Sequence, residues 1–174
     1  MIPSQLKLGP ITATLVVGAD GEHVGHDGTS KSLGGPSDCE WFLSVRRRAE
    51  VILTSGKTYL DERYVVPANA KLAVFSRRLR KADLAPGVIH ISDLQSSTFG
   101  DAVKHLLSLG FDRIHCEFGP TGFLATTAEP MVDAYLSSET RSGIERFSAR
   151  HEVDFEIVSS DGLFIARIGS VAVH

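Results

Sequence analysis

The 174-residue sequence has little of several things. It holds two cysteines, Cys39 and Cys116, and its formal net charge is only −3, from 18 Lys+Arg against 21 Asp+Glu. Two cysteines cannot build the disulfide framework of a small secreted fold. Both have apolar or aromatic neighbours, and no signal-type segment is visible, so reduced thiols in a cytoplasmic protein are expected. The near-neutral balance leaves no electrostatic footprint for a phosphate backbone or an anionic lipid surface, so no nucleic acid and no membrane is expected as partner. No apolar run approaches the ~18 residues of a membrane span. What is there is ordinary in bulk, 43% hydrophobic and 22% charged, the composition of a globular domain. At roughly 100–200 residues per domain, residues 1–174 read as one domain, able to bury on the order of 70% of its unfolded surface without a staple. The plentiful residue is glycine, 16 of them, unevenly placed.

Those glycines separate loops from elements. Ile11 to Val17 is β-branched and apolar and stops at Gly18, which reads as a buried strand. From Gly18 to Pro36 the chain carries Gly, Ser, Asp, His and Thr without periodicity. A loop of that length is either an active-site segment or a surface excursion. Ser37 and Asp38 can cap a helix with Trp41, Phe42 and Val45 at helical spacing and Arg46, Arg47 and Arg48 in its last turn. Buried strands follow at Val51–Ser55, Leu72–Ser76, Val88–Ile91 and Ile114–Glu117, and a sixth at Met131–Ser137. Phe99–Leu109, ending at Gly110, reads as a helix, and a short helix follows Gly119-Pro120-Thr121-Gly122. Val153–Val158 and Leu163–Ile168 around Asp161-Gly162 form a hairpin. Strands alternating with helices, then a hairpin, predict an α/β fold: a mostly parallel sheet, helices on both faces, and an antiparallel C-terminal edge.

Three motifs sit at strand ends. Ser55-Gly56-Lys57-Thr58 is not a phosphate-cradling P-loop, because the glycine required five positions before Gly56 is Val51, inside the strand. It is compatible with a simple turn or with backbone N–H groups holding one phosphate or carboxamide. Ser76-Arg77-Arg78 is either a solvated cationic cluster continuing to Arg80 and Lys81 or a site for a phosphate monoester, since ligands of parallel sheets collect outside the carboxyl ends of the strands. Gly119-Pro120-Thr121-Gly122 repeats the strand-to-helix pattern and could meet a pyrophosphate. Asp38, beside Trp41 and Phe42, is either a helix-start acid or a half-buried carboxylate for the N–H edge of a heterocycle. His23 and His26 lack a third soft ligand at a recognised interval, so no metal site is expected. Cys116 reads as a small core hydrophobe.

Taken in order, these segments resemble the dihydrofolate-reductase-like superfamily, and within it the pyrimidine reductases of riboflavin biosynthesis. Asp20-Gly21 is similar to the family's Ser-Leu-Asp-Gly, with Gly18-Ala19 in place of Ser-Leu. Asp38, Trp41-Phe42, Arg46 and Ala49–Leu53 resemble its first helix and following Arg-Ala-x-Asp-Ala-Ile-Leu run. Ser55-Gly56-Lys57-Thr58 resembles a Gly-x-x-Thr with Ser55 for the glycine, and Glu117-Phe118-Gly119-Pro120 resembles Glu-Gly-Gly-Pro with Phe118 for the first glycine. The resemblance implies a three-layer dihydrofolate-reductase-like fold and an NADPH-dependent reductase acting on a small molecule. It implies Asp38 as the catalytic acid and Asp20, Gly21 and Trp41 on the substrate. It places Thr54, Ser55, Gly56 and Thr58 on the ribose-nicotinamide side of the cofactor, Ser76 and Arg77 on its 2′-phosphate, and Glu117, Phe118, Gly119, Pro120 and Thr121 on its pyrophosphate. It also implies a homodimer. Two alternatives remain beside it, a dihydrofolate or pterin reductase and a dinucleotide-binding homologue without turnover.

Overall fold

The computed structural model describes Pro3, residues 6–92 and residues 98–169. Eight strands make one sheet: β1 (Ile11–Val16), β2 (Val51–Ser55), β3 (Lys71–Phe75), β4 (Ile89–Ile91), β5 (Ile114–Glu117), β6 (Asp133–Ser138), β7 (Phe155–Ser159) and β8 (Phe164–Ile168). They lie in the order β4-β3-β2-β5-β1-β6-β8-β7. The first six are parallel to their neighbours, β8 runs antiparallel to β6, and β7 antiparallel to β8. The α/β reading with an antiparallel hairpin edge therefore holds. Parallel strands buried on both faces demand apolar side chains in both directions; β2 and β3 supply them on both, through Ile52, Leu72 and Val74 on the second face, whereas β1 and β5 turn Thr12, Thr14, His115 and Glu117 to that face.

The alternating side chains divide the sheet into two unlike faces. Ala13, Leu15, Val51, Leu53, Ala73, Phe75, Ile114, Cys116, Ala134 and Leu136 point to one face and form a single apolar core. Covering it are α3 (Phe99–Ser108), α4 (Pro120–Thr127) and α5 (Arg141–His151), through Val103 and Leu106, Phe123, and Ile144 and Phe147. On the opposite face α1 (Pro36–Arg46) places Trp41 and Val45 against Tyr135 and Ile165. There α2 (Gly56–Asp61) and the following connector cover Ile52, Leu72 and Val74 through Tyr59 and Tyr64. Between those two apolar patches the second face is polar.

Two local expectations are corrected. The cap of α1 is not Ser37 or Asp38 but Gly35, with no side-chain bond, and Pro36 takes the first helical position, where its missing N–H costs nothing. The helix also closes at Arg46, so Arg47 is its C-cap and Arg48 lies beyond it. The sequence reading has no counterpart of α5. That segment has only Ile144 and Phe147 as apolar anchors, yet Thr140 Oγ1 accepts from Gly143 N at 3.2 Å, and both anchors are fully buried. It ends at Glu152 in the left-handed region, φ 53.

Candidate functional site at the carboxyl ends of the parallel strands

The parallel strands β2, β3 and β5 bring three turns to one edge of the sheet. β2 passes directly into α2, and Ser55 caps it: its Oγ accepts from Thr58 N at 3.1 Å and donates to Thr58 Oγ1 at 3.0 Å. A Cβ on Gly56 would lie 2.5 Å from Ser76 Oγ and 2.6 Å from Ser76 Cβ, so glycine lets the start of α2 seat on the end of β3. Ser76 Oγ in turn accepts from Arg78 N at 3.2 Å and Leu79 N at 3.1 Å. The neighbouring Arg77 is exposed and makes no ion pair among the described residues.

At the end of β5, Thr54 Oγ1 donates to the Glu117 carbonyl at 2.7 Å, tying β2 to the last residue of β5. Phe118 turns into the apolar core at 4% exposure, its ring 4.4 Å from that of Phe99. Gly122 makes room for it, since a Cβ there would lie 2.7 Å from Phe118 Cβ. Gly119 then caps α4 without a side-chain bond, Pro120 is the first helical residue, and a Cβ on Gly119 would meet nothing within 4 Å among the described residues. Thr121 is exposed in the first turn. Among the described residues no side chain caps this helix start, and the N–H groups ahead of Phe123 lack an intrahelical partner.

The polar strip on the second face begins at the same end. Asp38 on α1 is 8% exposed and accepts from Ser137 Oγ at 2.5 Å. Burial, set against the Ser137 bond and reinforced by nearby Glu139, holds its carboxyl above the usual range. The Gly34-Gly35 backbone lies against both acids: Cβ atoms there would fall 2.2 Å from Asp38 Oδ2 and 1.9 Å from Glu139 Oε1. Deeper in the strip, Arg46 clasps Glu117 through Nε at 2.9 Å and Nη2 at 3.0 Å, and Tyr64 donates to the same carboxylate. His115 Nδ1 lies 3.1 Å from Glu117 Oε1, an ion-pair distance without hydrogen-bond alignment, while its Nε2 contacts Thr14 Oγ1 at 2.8 Å. Burial pushes the Glu117 carboxyl up, but His115 and Arg46 together outweigh it and hold the group below its usual range. Burial and the Glu117 charge push the Tyr64 phenol well up. Burial likewise raises the Cys116 thiol, which leaves it an inert core residue.

The glycine-rich loop crosses these strand ends. Asp20 pairs with Arg146 on α5, and Arg150 donates to the Asp20 and Gly21 carbonyls at 3.0 Å each. Gly21 has φ 74, where a side chain would be strained and would also strike the backbone of Phe147. Further on, Ser30 N donates to Glu62 Oε1 at 2.8 Å, fastening the loop to the far end of α2. Burial lowers the His23 pKa, with His151 and Arg150 of α5 and Lys57 of α2 adding to the effect. No cluster of three metal-ligating side chains occurs among the described residues.

The structure thus gathers Thr54, Ser55, Gly56, Thr58, Ser76, Arg77, Glu117, Phe118, Gly119, Pro120 and Thr121 along adjacent strand ends, with Asp38 at the neighbouring end of α1. Asp20 and Gly21 are instead tied to α5, on the opposite layer. Trp41 is 1% exposed and packs edge-on against Tyr135 at 6.1 Å, so any part it has in the site runs through Asp38, one turn before it. Ser137, Glu139, Arg46, Tyr64 and His115 are the site-lining residues that the sequence did not single out for a role.

No protein-family model matches this sequence, and no curated protein matches it. Solved structures do. One is a pyrimidine reductase-like protein from Corynebacterium diphtheriae, 18% identical, TM-score 0.66, with 92% of this chain and 91% of that one covered. A deaminase/5-amino-6-(5-phosphoribosylamino)uracil reductase from Thermotoga maritima is 17% identical, TM-score 0.64, over 94% of this chain and 57% of that one. The riboflavin biosynthesis reductase of Saccharomyces cerevisiae is 12% identical, TM-score 0.60, over 96% and 93%. The chain therefore has an α/β reductase fold. More narrowly, it is the fold of the pyrimidine reductases of riboflavin biosynthesis.

Proposed function

We propose that this chain is an NADPH-dependent reductase of the pyrimidine reductase type, reducing a heterocycle-linked sugar or imine. The observation that carries the reading is Gly119: a strand-end glycine on which a Cβ would meet nothing within 4 Å among the described residues, heading a helix with no side-chain cap, beside strand ends bearing Gly56, Ser76 and an exposed Arg77. Such a cradle suits an extended dinucleotide. NADPH, when bound, supplies the hydride; the chain's own groups bind, orient and exclude water. The first N–H groups of α4, with Gly119 and Thr121, would hold the pyrophosphate. Ser76 and Arg77 would hold the 2′-phosphate, and Thr54, Gly56 and Thr58 the ribose-nicotinamide side. Asp38, whose carboxyl keeps its proton to higher pH than an ordinary aspartate, would donate to the heterocycle or hold its N–H edge. Glu117, neutralised by Arg46, would hold the floor of the site rather than contact phosphate.

The test is cofactor choice and turnover. Arg77→Ala should lose preference for NADPH over NADH by about 1.5–3 kcal/mol, the size of a charge-assisted bond. An unchanged preference would sink the assignment. NADPH oxidation with the uracil named for the Thermotoga protein, compared with dihydrofolate, separates the two substrate readings. One observation favours a dinucleotide-binding protein without turnover: Ser55 already occupies the Thr58 N–H that a cofactor would use. Tight NADPH binding with no oxidation of either substrate pair would support it. A homodimer is part of the same proposal, and sedimentation as a strict monomer at micromolar concentration would remove it.

A further inference from the structure

His90, half-buried on β4, has no part in the site described so far. Its Nε2 lies 3.0 Å from the Ser76 carbonyl oxygen. A carbonyl only accepts, so this contact is a hydrogen bond in which Nε2 is the donor. Ser76 N donates to Ile91 O at 3.1 Å, so both backbone groups of Ser76 are anchored to β4, one to its backbone and one to the imidazole. The Ser76 hydroxyl accepts from two N–H groups, those of Arg78 and Leu79, so neither bond uses its own proton. Arg77, the next residue, is exposed without an ion pair among the described residues, whereas Arg80 is tied to Asp83 at 3.3 Å. Resting on the NADPH reading above, we propose that His90 is a positioning residue for recognition of a 2′-phosphate, acting through the Ser76 carbonyl to hold the turn that aims the Ser76 hydroxyl and the Arg77 guanidinium at one anion. Without it the Ser76 carbonyl is left without this partner, and the turn loses one of its two backbone anchors to β4 among the described residues.

Calorimetric titration with 2′,5′-ADP and with 5′-ADP separates the phosphate at issue from the rest of the nucleotide. The native chain should bind 2′,5′-ADP more tightly. His90→Ala should narrow the ratio of the two affinities about three- to tenfold, the size of one ordinary hydrogen bond, with 5′-ADP affinity unchanged. His90→Gln, which keeps an N–H at similar reach, should restore most of the ratio, a rescue that a merely structural role would not show. His90→Leu carries the same expectation if the alanine variant fails to fold. A ratio unmoved in His90→Ala or His90→Leu, or not restored in His90→Gln, overturns the role of His90 while leaving the NADPH reading intact. Binding of neither nucleotide, or of both equally, by the native chain overturns the NADPH reading and this inference with it.

Discussion

The ends of β2 and β5 face the same edge of the sheet, and at each a residue with a side chain stands where the resembling family has glycine, with opposite results. At β2 the side chain of Ser55 folds back on its own helix and uses the Thr58 N–H, so the start of α2 is closed. At β5 the side chain of Phe118 goes down into the core between Phe99 and Gly122, and the start of α4 stays open above Gly119. The difference lies in side-chain chemistry and not in strand parity, because Ser55 continues Val51 and Leu53 toward the apolar face as Phe118 continues Ile114 and Cys116. Phe118 carries a large apolar ring that the core takes in, while Ser55 carries a short hydroxyl that bonds its own first helical turn. A side chain in a glycine's place therefore closes a helix start when it is a short polar group that caps it, and leaves it uncapped when it is an apolar ring that enters the core.

That contrast can be broken or sharpened by substitution. The largest effect is expected at Phe118: Phe118→Ala should cost about 3–5 kcal/mol of stability, the range for a buried phenylalanine, while NADPH affinity measured on the folded protein stays the same. A tightening would mean that the ring does obstruct the cradle. Gly119→Ala should do the reverse. Its φ of −67 suits alanine and its Cβ would meet nothing within 4 Å among the described residues, so urea denaturation should move by no more than about 0.5 kcal/mol, while NADPH binding weakens by about tenfold, or ~1.4 kcal/mol. Ser55→Ala should cost about 1 kcal/mol through loss of the cap, and Ser55→Gly only a few tenths; the glycine variant, with Thr58 N–H freed, should bind NADPH more tightly. The smallest effect concerns Asp38. Its folded carboxyl titrates above its unfolded value, so ionisation opposes folding. That cost is complete above the folded pKa and disappears as pH falls below the unfolded one. Asp38→Asn should therefore be slightly more stable than the native chain at neutral pH and lose that advantage in acid, while losing turnover throughout. A stability gain that persists into acid would contradict the sign.

Much of this was legible in the residues. The apolar runs, two of them stopped by Gly18 and Gly56, located the parallel strands to within a residue or two, and Asp161-Gly162 located the final hairpin, with Gly162 at φ 72. The α5 helix was not legible, because Arg141–His151 offers only two large apolar residues, Ile144 and Phe147, one turn apart. A capping threonine at 140 ahead of that pair was the signal available. The strand-end turns were readable because each combines a local motif with a strand stop. The grouping of Arg46, Tyr64 and His115 around Glu117, with Thr14 behind His115, was not, since it joins two helix-layer segments to two strands and carries no local spacing. Trp41 shows a further limit: its place beside Asp38 in the chain puts it one helical turn deeper, in the core. Sequence adjacency to an acid says nothing about which side of the helix the ring covers.

Thermal unfolding of the native chain with NADPH, with NADH and with neither tests the central claim most directly. An open cradle at Gly119 read by Arg77 predicts stabilisation by NADPH, about 2.7 kcal/mol at a hundred times its dissociation constant, and a much smaller shift with NADH at the same concentration. An unfolding temperature unmoved by either nucleotide would contradict the account.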